Sequence, residues 1–97
     1  GGSLPETLVD ALKALADPSR LKILRYLAEG TYTPAQLSRL LRLRAPTVIH
    51  HLNDLRLAGL VHLTLEEGGE KRYKARLEIV DGTFTTLRGF LDAGKED

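Results

Sequence analysis

Apolar residues recur every three or four positions over the first third of the chain, which predicts two amphipathic helices. The first carries Leu4, Leu8, Val9, Leu12 and Leu15 on one stripe. A capping-box pattern at residues 3–6 predicts its start, and we expect it to end near Ala16. The second follows Asp17 and Pro18, an N-cap and a first-turn proline, and ends at Gly30. Its predicted apolar stripe is Leu21, Leu24, Leu27 and Ala28.

Only a short break separates the next two apolar stripes, and this spacing is typical of a helix-turn-helix unit. Thr33 and Gln36 form a second capping-box pattern, which predicts the start of a third helix. Its inward residues are Leu37, Leu40 and Leu41. The break spans residues 42–45, and Pro46 suits the first turn of a fourth helix that Gly59 ends. The fourth helix is predicted to bury Val48, Leu52 and Leu55.

Alternating apolar and polar residues at 61–65 and 71–77 predict two strands, and the glycine pair between them favours a hairpin. A two-residue loop would place Leu65 opposite Arg72 and mix apolar with charged residues on the same face. Because a one-residue shift moves every side chain to the other face, we predict a three- or five-residue loop, or a bulge. The core side of the hairpin would then carry Leu63, Leu65 and Tyr73.

A last helix is predicted to open at Asp81, with an apolar set of Phe84, Leu87, Phe90 and Leu91. The expected fold class is therefore mainly α with a small β-hairpin, comprising five to six helices and a two-stranded antiparallel sheet. We assign residues 4–93 to a single domain and residues 94–97 to a frayed tail.

Composition restricts the class of protein. The 97 residues suffice for one domain, and no stretch approaches the roughly 18 to 20 apolar residues of a membrane span. Cysteine is absent, which excludes disulfides and thiolate metal sites and makes a cytoplasmic location the expectation. Methionine is absent even at position 1, so residues 1–3 are interpreted as a cloning scar or linker on a domain cut from a longer protein.

Positive charge is concentrated in the middle of the chain. Residues 39–76 hold eight Lys or Arg and four Asp or Glu, whereas the rest holds six basic and nine acidic residues. Such a distribution is the electrostatic footprint expected of a nucleic-acid-binding surface. No nucleophile lies at a recognisable spacing from a base, and no glycine-rich phosphate loop follows a strand, so an enzyme is not predicted. RNA binding is disfavoured because the hairpin strands lack exposed aromatic residues for stacking.

Two segments, residues 15–27 and 47–61, resemble the opening helices and the recognition helix of ArsR/SmtB-type repressors. The likeness covers nearly all of residues 8–77. It implies a winged helix-turn-helix transcription regulator that binds double-stranded DNA as a homodimer, with the first and last helices at the dimer interface. The family's two usual metal sites lack their ligands, because residues 32–37 contain no Cys and residues 81–92 no His. We therefore expect no metal or other cofactor, and an effector would bind a part of the full-length protein outside this chain.

The expected recognition helix spans about residues 45–58, in the major groove, and the wing spans about residues 61–77, on the DNA backbone. Predicted DNA contacts are Arg42, Arg44, Pro46, Thr47, Ile49, His50, Asn53, Arg72, Lys74 and Arg76. Arg42 and Arg44 are expected to hold phosphates, whereas Asn53 can pair with adenine and Ile49 can meet a thymine methyl group. The predicted dimer interface comprises Leu4, Leu8, Leu12, Phe84, Leu87 and Leu91.

Other interpretations remain open at this point. The arginines could form a solvated face, and a winged helix could serve protein–protein contact within a larger regulator, with Ile49 in an apolar patch. The neighbouring histidines at 50 and 51 point about 100° apart on a helix and do not converge on a metal, and His51 is expected to be partly buried. Three glutamates crowd the wing tip, where they would repel phosphate: Glu66, Glu67 and Glu70. We expect Glu66 to neutralise Arg72 in part. Lys74 and Arg76 should therefore contribute more than Arg72 to phosphate contact.

Overall fold

The computed structural model describes residues 3–94, which form five helices and a two-stranded antiparallel sheet. In chain order these are α1 (Glu6–Leu15), α2 (Pro18–Glu29), α3 (Pro34–Leu41), α4 (Ala45–Leu57), β1 (Val61–Leu65), β2 (Lys71–Ala75) and α5 (Leu77–Ala93). The predicted fold class is confirmed, with the lower of the two expected helix counts. The interpretations placed on Gly1, Gly2 and residues 95–97 concern positions outside the described residues. Within the described part, no helix has the length and apolar character needed to cross a membrane.

Side-chain caps begin α2 and α3 where the sequence predicts them. The carboxylate Oδ2 of Asp17 accepts a hydrogen bond from the backbone N–H of Arg20 at 3.0 Å. At α3, Thr33 Oγ1 accepts from the N–H of Gln36 at 3.1 Å, and Gln36 Oε1 accepts from the N–H of Thr33 at 2.9 Å. These caps satisfy backbone donors that have no partner inside the helix, so the start of each helix is encoded locally.

The start of α1 and the end of α2 depart from the simple sequence patterns. The capping box predicted at residues 3–6 is wrong: Pro5 is the N-cap of α1, and no side chain caps it. Ser3 lies two residues before that cap, because helical hydrogen bonding begins only at the carbonyl of Pro5, which accepts from the N–H of Leu8 at 3.2 Å. Gly30 is the C-cap of α2 as predicted, but its backbone is extended rather than left-handed.

The core lies between α2, α3, α4 and the hairpin. Its fully buried side chains are Ile23, Leu27, Leu37, Val48, Leu52, Leu55, Leu60 and Val61. The stripe predicted for α4 is confirmed. The stripe predicted for α2 is partly wrong, since Ile23 is buried while Leu21 and Ala28 are exposed. Leu40 of α3 is exposed as well, because the buried arc of each helix is narrower than its apolar face.

The hairpin has an odd number of loop residues, as predicted. Leu63 pairs with Tyr73 and Leu65 with Lys71, so five residues connect the paired strands. Tyr73 is buried at 5% exposure, as expected, but Leu65 is 69% exposed, which contradicts its predicted place on the core side. Leu65 lies on the correct face of the sheet but beyond the edge of the core. Tyr73 also pairs with Tyr32, through backbone hydrogen bonds of 2.9 and 3.1 Å, which joins the start of α3 to the hairpin.

The last helix begins four residues earlier than predicted. The strand pairing ends at Ala75, which faces Val61, and the N–H of Arg76 then donates to the carbonyl of Leu60 at 2.8 Å. Leu77 therefore starts α5 instead of continuing β2, and the predicted start at Asp81 is wrong. Along α5 only Thr83 is buried among the described residues, although the helix packs against α1.

Candidate nucleic-acid interface

The turn between α3 and α4 sets the relative orientation of the two helices. Arg42 adopts left-handed backbone geometry at φ 56°, and the N–H of Leu43 donates to the carbonyl of Ser38 at 3.1 Å. The Ser38 hydroxyl donates back to the carbonyl of Leu43. These bonds close a turn of three residues before Ala45, and they leave α4 with its N-terminal turn at the surface.

One face of α4 packs into the core and the other is free. Val48, Leu52 and Leu55 are completely buried, as described above. The predicted base-reading residues all lie on the exposed side: Pro46, Thr47, Ile49, His50 and Asn53. Next to them, the exposed side chains of Arg42 and Arg44 make no hydrogen bond or ion pair with any part of residues 3–94. The helix thus offers polar and apolar groups to a groove, with unpaired cations beside its N-terminal turn.

The cations of the wing differ in how far they are already engaged. Arg72 Nη1 lies 2.7 Å from Glu70 Oε1, and its Nε donates to Thr31 Oγ1 at 3.2 Å. The prediction that Glu66 partly neutralises Arg72 is therefore wrong, because Glu70 is the carboxylate that pairs with it. Glu70 lies just before β2, two residues from Arg72 in the chain. Glu66 lies across the hairpin turn, directly after β1. Lys74 is exposed and has no side-chain partner within the described range.

Arg76 follows β2 directly, and its side chain is half-buried and paired with a carboxylate. Its Nε lies 3.2 Å from Glu78 Oε1 in the first turn of α5. The pKa of Glu78 is held below its usual value, first by its own backbone N–H and then by the Arg76 guanidinium. Glu78 is consequently ionised near neutral pH and already offsets part of the charge of Arg76. Of the three predicted wing cations, Lys74 is the freest.

Sequence reasoning missed Arg20, which is the most connected polar side chain near α4. It donates to carbonyl oxygens of α1 and lies near both His51 and Asp54 of α4. Its sequence signal is its place on α2: it falls on the same helical face as Ile23, Leu24 and Leu27, so an arginine there must find acceptors inside the fold. The partial burial expected for His51 agrees with its position against this guanidinium.

The residues predicted at a dimer interface fall into two groups. Leu4, Phe84 and Leu91 are exposed, whereas Leu12 and Leu87 are half-buried. Leu8 is buried within the single chain at 3% exposure, so it cannot contribute a free apolar surface. Across the described residues, no group of three His, Cys, Asp or Glu side chains is placed to hold a metal ion.

Sequence comparisons show similarity to bacterial and archaeal transcription regulators. Residues 17–62 match the model of the arsR family of bacterial regulatory proteins. The arsenic resistance regulator ArsR1 of Pseudomonas putida is 30% identical over 99 residues, covering 99% of the chain and 77% of ArsR1. CmtR of Mycobacterium tuberculosis is 46% identical over 61 residues, covering 63% of the chain. The matches span only 51% of CmtR and 64% of a regulator from Methanocaldococcus jannaschii, so these relatives are longer than the shared part.

Solved structures point to the same group. An ArsR-like transcriptional regulator from Rhodococcus superposes with a TM-score of 0.81 at 28% identity, covering 93% of the chain and 84% of that protein. The winged helix-turn-helix domain of Mb0332 from Mycobacterium bovis, described as homodimeric and DNA-binding, gives a TM-score of 0.72 at 27% identity. That match covers 94% of the chain and 83% of the Mb0332 domain. The helix order and the hairpin are thus those of a known regulator fold.

Proposed function

This chain belongs to the arsR family of bacterial regulatory proteins, and from this premise we propose that it regulates transcription by binding double-stranded DNA sequence-specifically. The observation that carries the proposal is the exposed face of α4, with Arg42 and Arg44 unpaired beside it. A helix of this kind fits the major groove, where each base pair presents a distinct set of donors and acceptors. The family is one of regulators rather than enzymes.

The α4 side chains divide into base-reading and phosphate-binding groups. Thr47, Ile49, His50 and Asn53 would contact base edges, with Pro46 at the groove wall, because they share the exposed face near the helix start. Arg42 and Arg44 would hold phosphates, which fixes register without reading sequence. On the wing, Lys74 would contribute most to backbone contact, and Arg72 least, because Glu70 and Thr31 already engage Arg72.

We further propose that the chain acts as a homodimer through α1 and α5. Phe84 and Leu91 of α5 and Leu4 before α1 are exposed apolar side chains, which a second copy would cover. Two-fold symmetry would then place two α4 helices about 34 to 36 Å apart, one turn of DNA. The homodimeric relative Mb0332 supports this assembly.

The remaining parts of the proposal concern context. We take residues 4–93 as the DNA-binding domain, with repression as its mode, since the 26% identical relative SdpR of Bacillus subtilis is named a transcriptional repressor. A cytoplasmic location follows from access to the chromosome. An effector would bind a part of the full-length protein outside this chain.

The test is binding to DNA duplexes selected by the protein from a random pool, measured by fluorescence anisotropy at several salt concentrations. Asn53→Ala should lower the preference for the selected duplex by about 1 to 3 kcal/mol, the value of a lost bidentate base contact. Arg44→Ala should weaken binding to all duplexes alike and reduce the salt slope by about one.

Two outcomes would contradict the proposal. If Arg44→Ala changed the base preference and Asn53→Ala did not, the assignment of the α4 face would be wrong. If the wild-type protein bound no duplex in a salt-dependent way, a protein–protein role would replace DNA binding, with the exposed Ile49 and Leu57 of α4 as its first candidates.

A further inference from the structure

The side chain of Arg20 ties three helices together. It is only 17% exposed, and its Nε donates to the carbonyl of Ala14 at 2.6 Å while Nη2 donates to the carbonyl of Lys13 at 3.2 Å. Both carbonyls belong to the last turn of α1. From its place on α2, the same guanidinium extends Nη1 to α4, where it lies 3.4 Å from Asp54 Oδ2.

The chemistry of these partners explains why an arginine suits this position. The last carbonyls of a helix have no partner inside the helix and carry partial negative charge, so they attract a cation. A guanidinium holds several acceptors at once in a fixed planar geometry, which the point charge of a lysine does not reproduce. Arg20 therefore links α4 to the end of α1.

Asp54 continues the connection to the exposed face of α4. Its Oδ2 lies 3.4 Å from Nε2 of His50, one helical turn earlier. His50 is largely exposed and stands among the residues proposed to read bases. The carboxylate attracts this ring nitrogen, most strongly when the imidazole is protonated, and so favours one orientation of the ring.

We propose that Arg20 and Asp54 are positioning residues that determine base preference without touching DNA. Arg20 holds Asp54 and the α1 terminus in one frame, and Asp54 holds the exposed imidazole of His50 in one orientation beside the base-reading residues. An imidazole held in one orientation presents its ring to the base edges of the major groove, where donors and acceptors differ between base pairs. This inference rests on the proposed DNA-binding function and adds the residues that set its selectivity.

The substitution that separates this role from plain electrostatics is Asp54→Ala. Removing a carboxylate beside a DNA-binding face tightens binding to every duplex through charge alone. Positioning instead predicts that the ratio of affinities for the selected duplex and a shuffled duplex falls roughly fivefold, the value of one lost hydrogen bond. The matched control is Asp10→Ala, because Asp10 lines the same cleft between α1 and α4 but makes no ion pair within the described residues. That variant should keep the wild-type ratio.

Two further measurements show whether Asp54 acts through His50. In the free protein, the imidazole 15N chemical shifts of His50 should differ between the wild type and Asp54→Ala, because a carboxylate lies beside Nε2 only in the wild type. In the Asp54→Ala background, His50→Ala should not lower the affinity ratio further. Arg20→Lys should lower the ratio while keeping the charge, and a thermal melt followed by circular dichroism verifies that each variant is folded.

The outcomes distinguish a failure of the proposed DNA binding from a failure of the positioning role of Asp54. Wild-type protein that binds no duplex overturns the proposed function itself. Wild-type protein that discriminates between duplexes, together with an Asp54→Ala variant that keeps both the affinity ratio and the His50 nitrogen shifts, overturns the positioning role and leaves DNA binding intact.

Discussion

Gly59 ends α4 with left-handed backbone geometry, at φ 79°. Its N–H donates to the carbonyl of Arg56, and the next N–H, of Leu60, donates to the carbonyl of Leu55, both at 2.9 Å. These bonds satisfy carbonyls at the helix end and turn the chain directly into β1. A residue with a Cβ atom is strained in this conformation, whatever space surrounds it. The position is therefore one of the points where a single residue decides the path of the chain.

We expect Gly59→Ala to lower the free energy of unfolding by about 1 to 2 kcal/mol, the cost of the left-handed conformation. The added methyl group would meet only Ile79 Cγ2, at 3.9 Å, so the loss measures backbone strain rather than a clash. Gly30→Ala is the control, since Gly30 is extended and no atom lies within 4 Å of its Cβ position. Urea unfolding of both variants tests this, and an equal loss in both would contradict it.

Asp17 caps α2, and its stability contribution depends on pH. Hydrogen bonding from the backbone N–H of Arg20 holds the pKa of Asp17 below its ordinary value of 3.8. A lowered pKa in the folded state means that the charged form stabilises the fold above pH 3.8, and this contribution is lost as pH falls through the folded pKa. Asp17→Ala should thus be less stable than wild type near pH 7, with the difference shrinking in acid.

The matched variant is Asp17→Asn, which keeps an acceptor for the Arg20 N–H without the ionisable group. Its stability relative to Asp17→Ala should not change through this acidic range. Thermal melts at stepped pH values provide the measurement, and a wild-type advantage that grows in acid would refute the assignment.

At the scale of the element, the hairpin shows how strand pairing distributes charge. Pairing of Thr64 with Arg72 and of His62 with Lys74 places both cations on the outer side of the sheet. Arg72 is drawn toward Glu70 at the hairpin turn, while Lys74 remains unpaired within the described residues. Residues of the same charge on one strand face therefore differ in their freedom to bind a phosphate.

We expect Lys74→Ala to weaken binding to all duplexes and to reduce the salt slope by about one, as the loss of one phosphate contact requires. Arg72→Ala should change the slope less, because its partners already neutralise it. Anisotropy titrations at several salt concentrations compare the two variants. A larger loss for Arg72→Ala would mean that Arg72 leaves Glu70 when DNA is present, which would reverse the ranking.

At the scale of the whole molecule, α5 stands out for how little of it is covered. It has 17 residues, of which only Thr83 is buried among those described. A small domain does not normally leave so many large apolar residues of a long helix at its surface. The homodimer proposed above would cover these side chains by packing two copies of α5 together, with α1 beside them.

We expect Phe84→Ser with Leu91→Ser to convert a dimer into a monomer at tens of micromolar, because both exposed apolar anchors are lost. Leu57→Ser is the control: Leu57 is 80% exposed but belongs to α4, so the variant should remain dimeric. Sedimentation velocity measures all three proteins. A wild-type monomer at that concentration would count against the proposed assembly.

Much of the local structure is encoded in short segments of sequence. The caps at Asp17 and Thr33, the buried stripe of α4 and the parity of the hairpin all follow from spacing. They are predictable because each depends on residues within one or two turns of the same element. The exposed face of α4, and with it the candidate DNA-binding residues, follows from that same spacing.

Tertiary packing decided which apolar side chains are buried and which charged side chains meet. Whether Ile23 or Leu21 is buried depends on which arc of α2 meets α3, α4 and β2, and Leu65 is exposed because the hairpin extends past the core. Arg20 finds Asp54 34 residues away, a contact that no local pattern encodes. The sequence by itself thus determined the order of the elements, the caps of α2 and α3 and the buried face of α4, since these depend on local spacing and backbone chemistry. Only the tertiary structure decided which charges are paired and which apolar surface is covered, because both depend on residues distant in the chain.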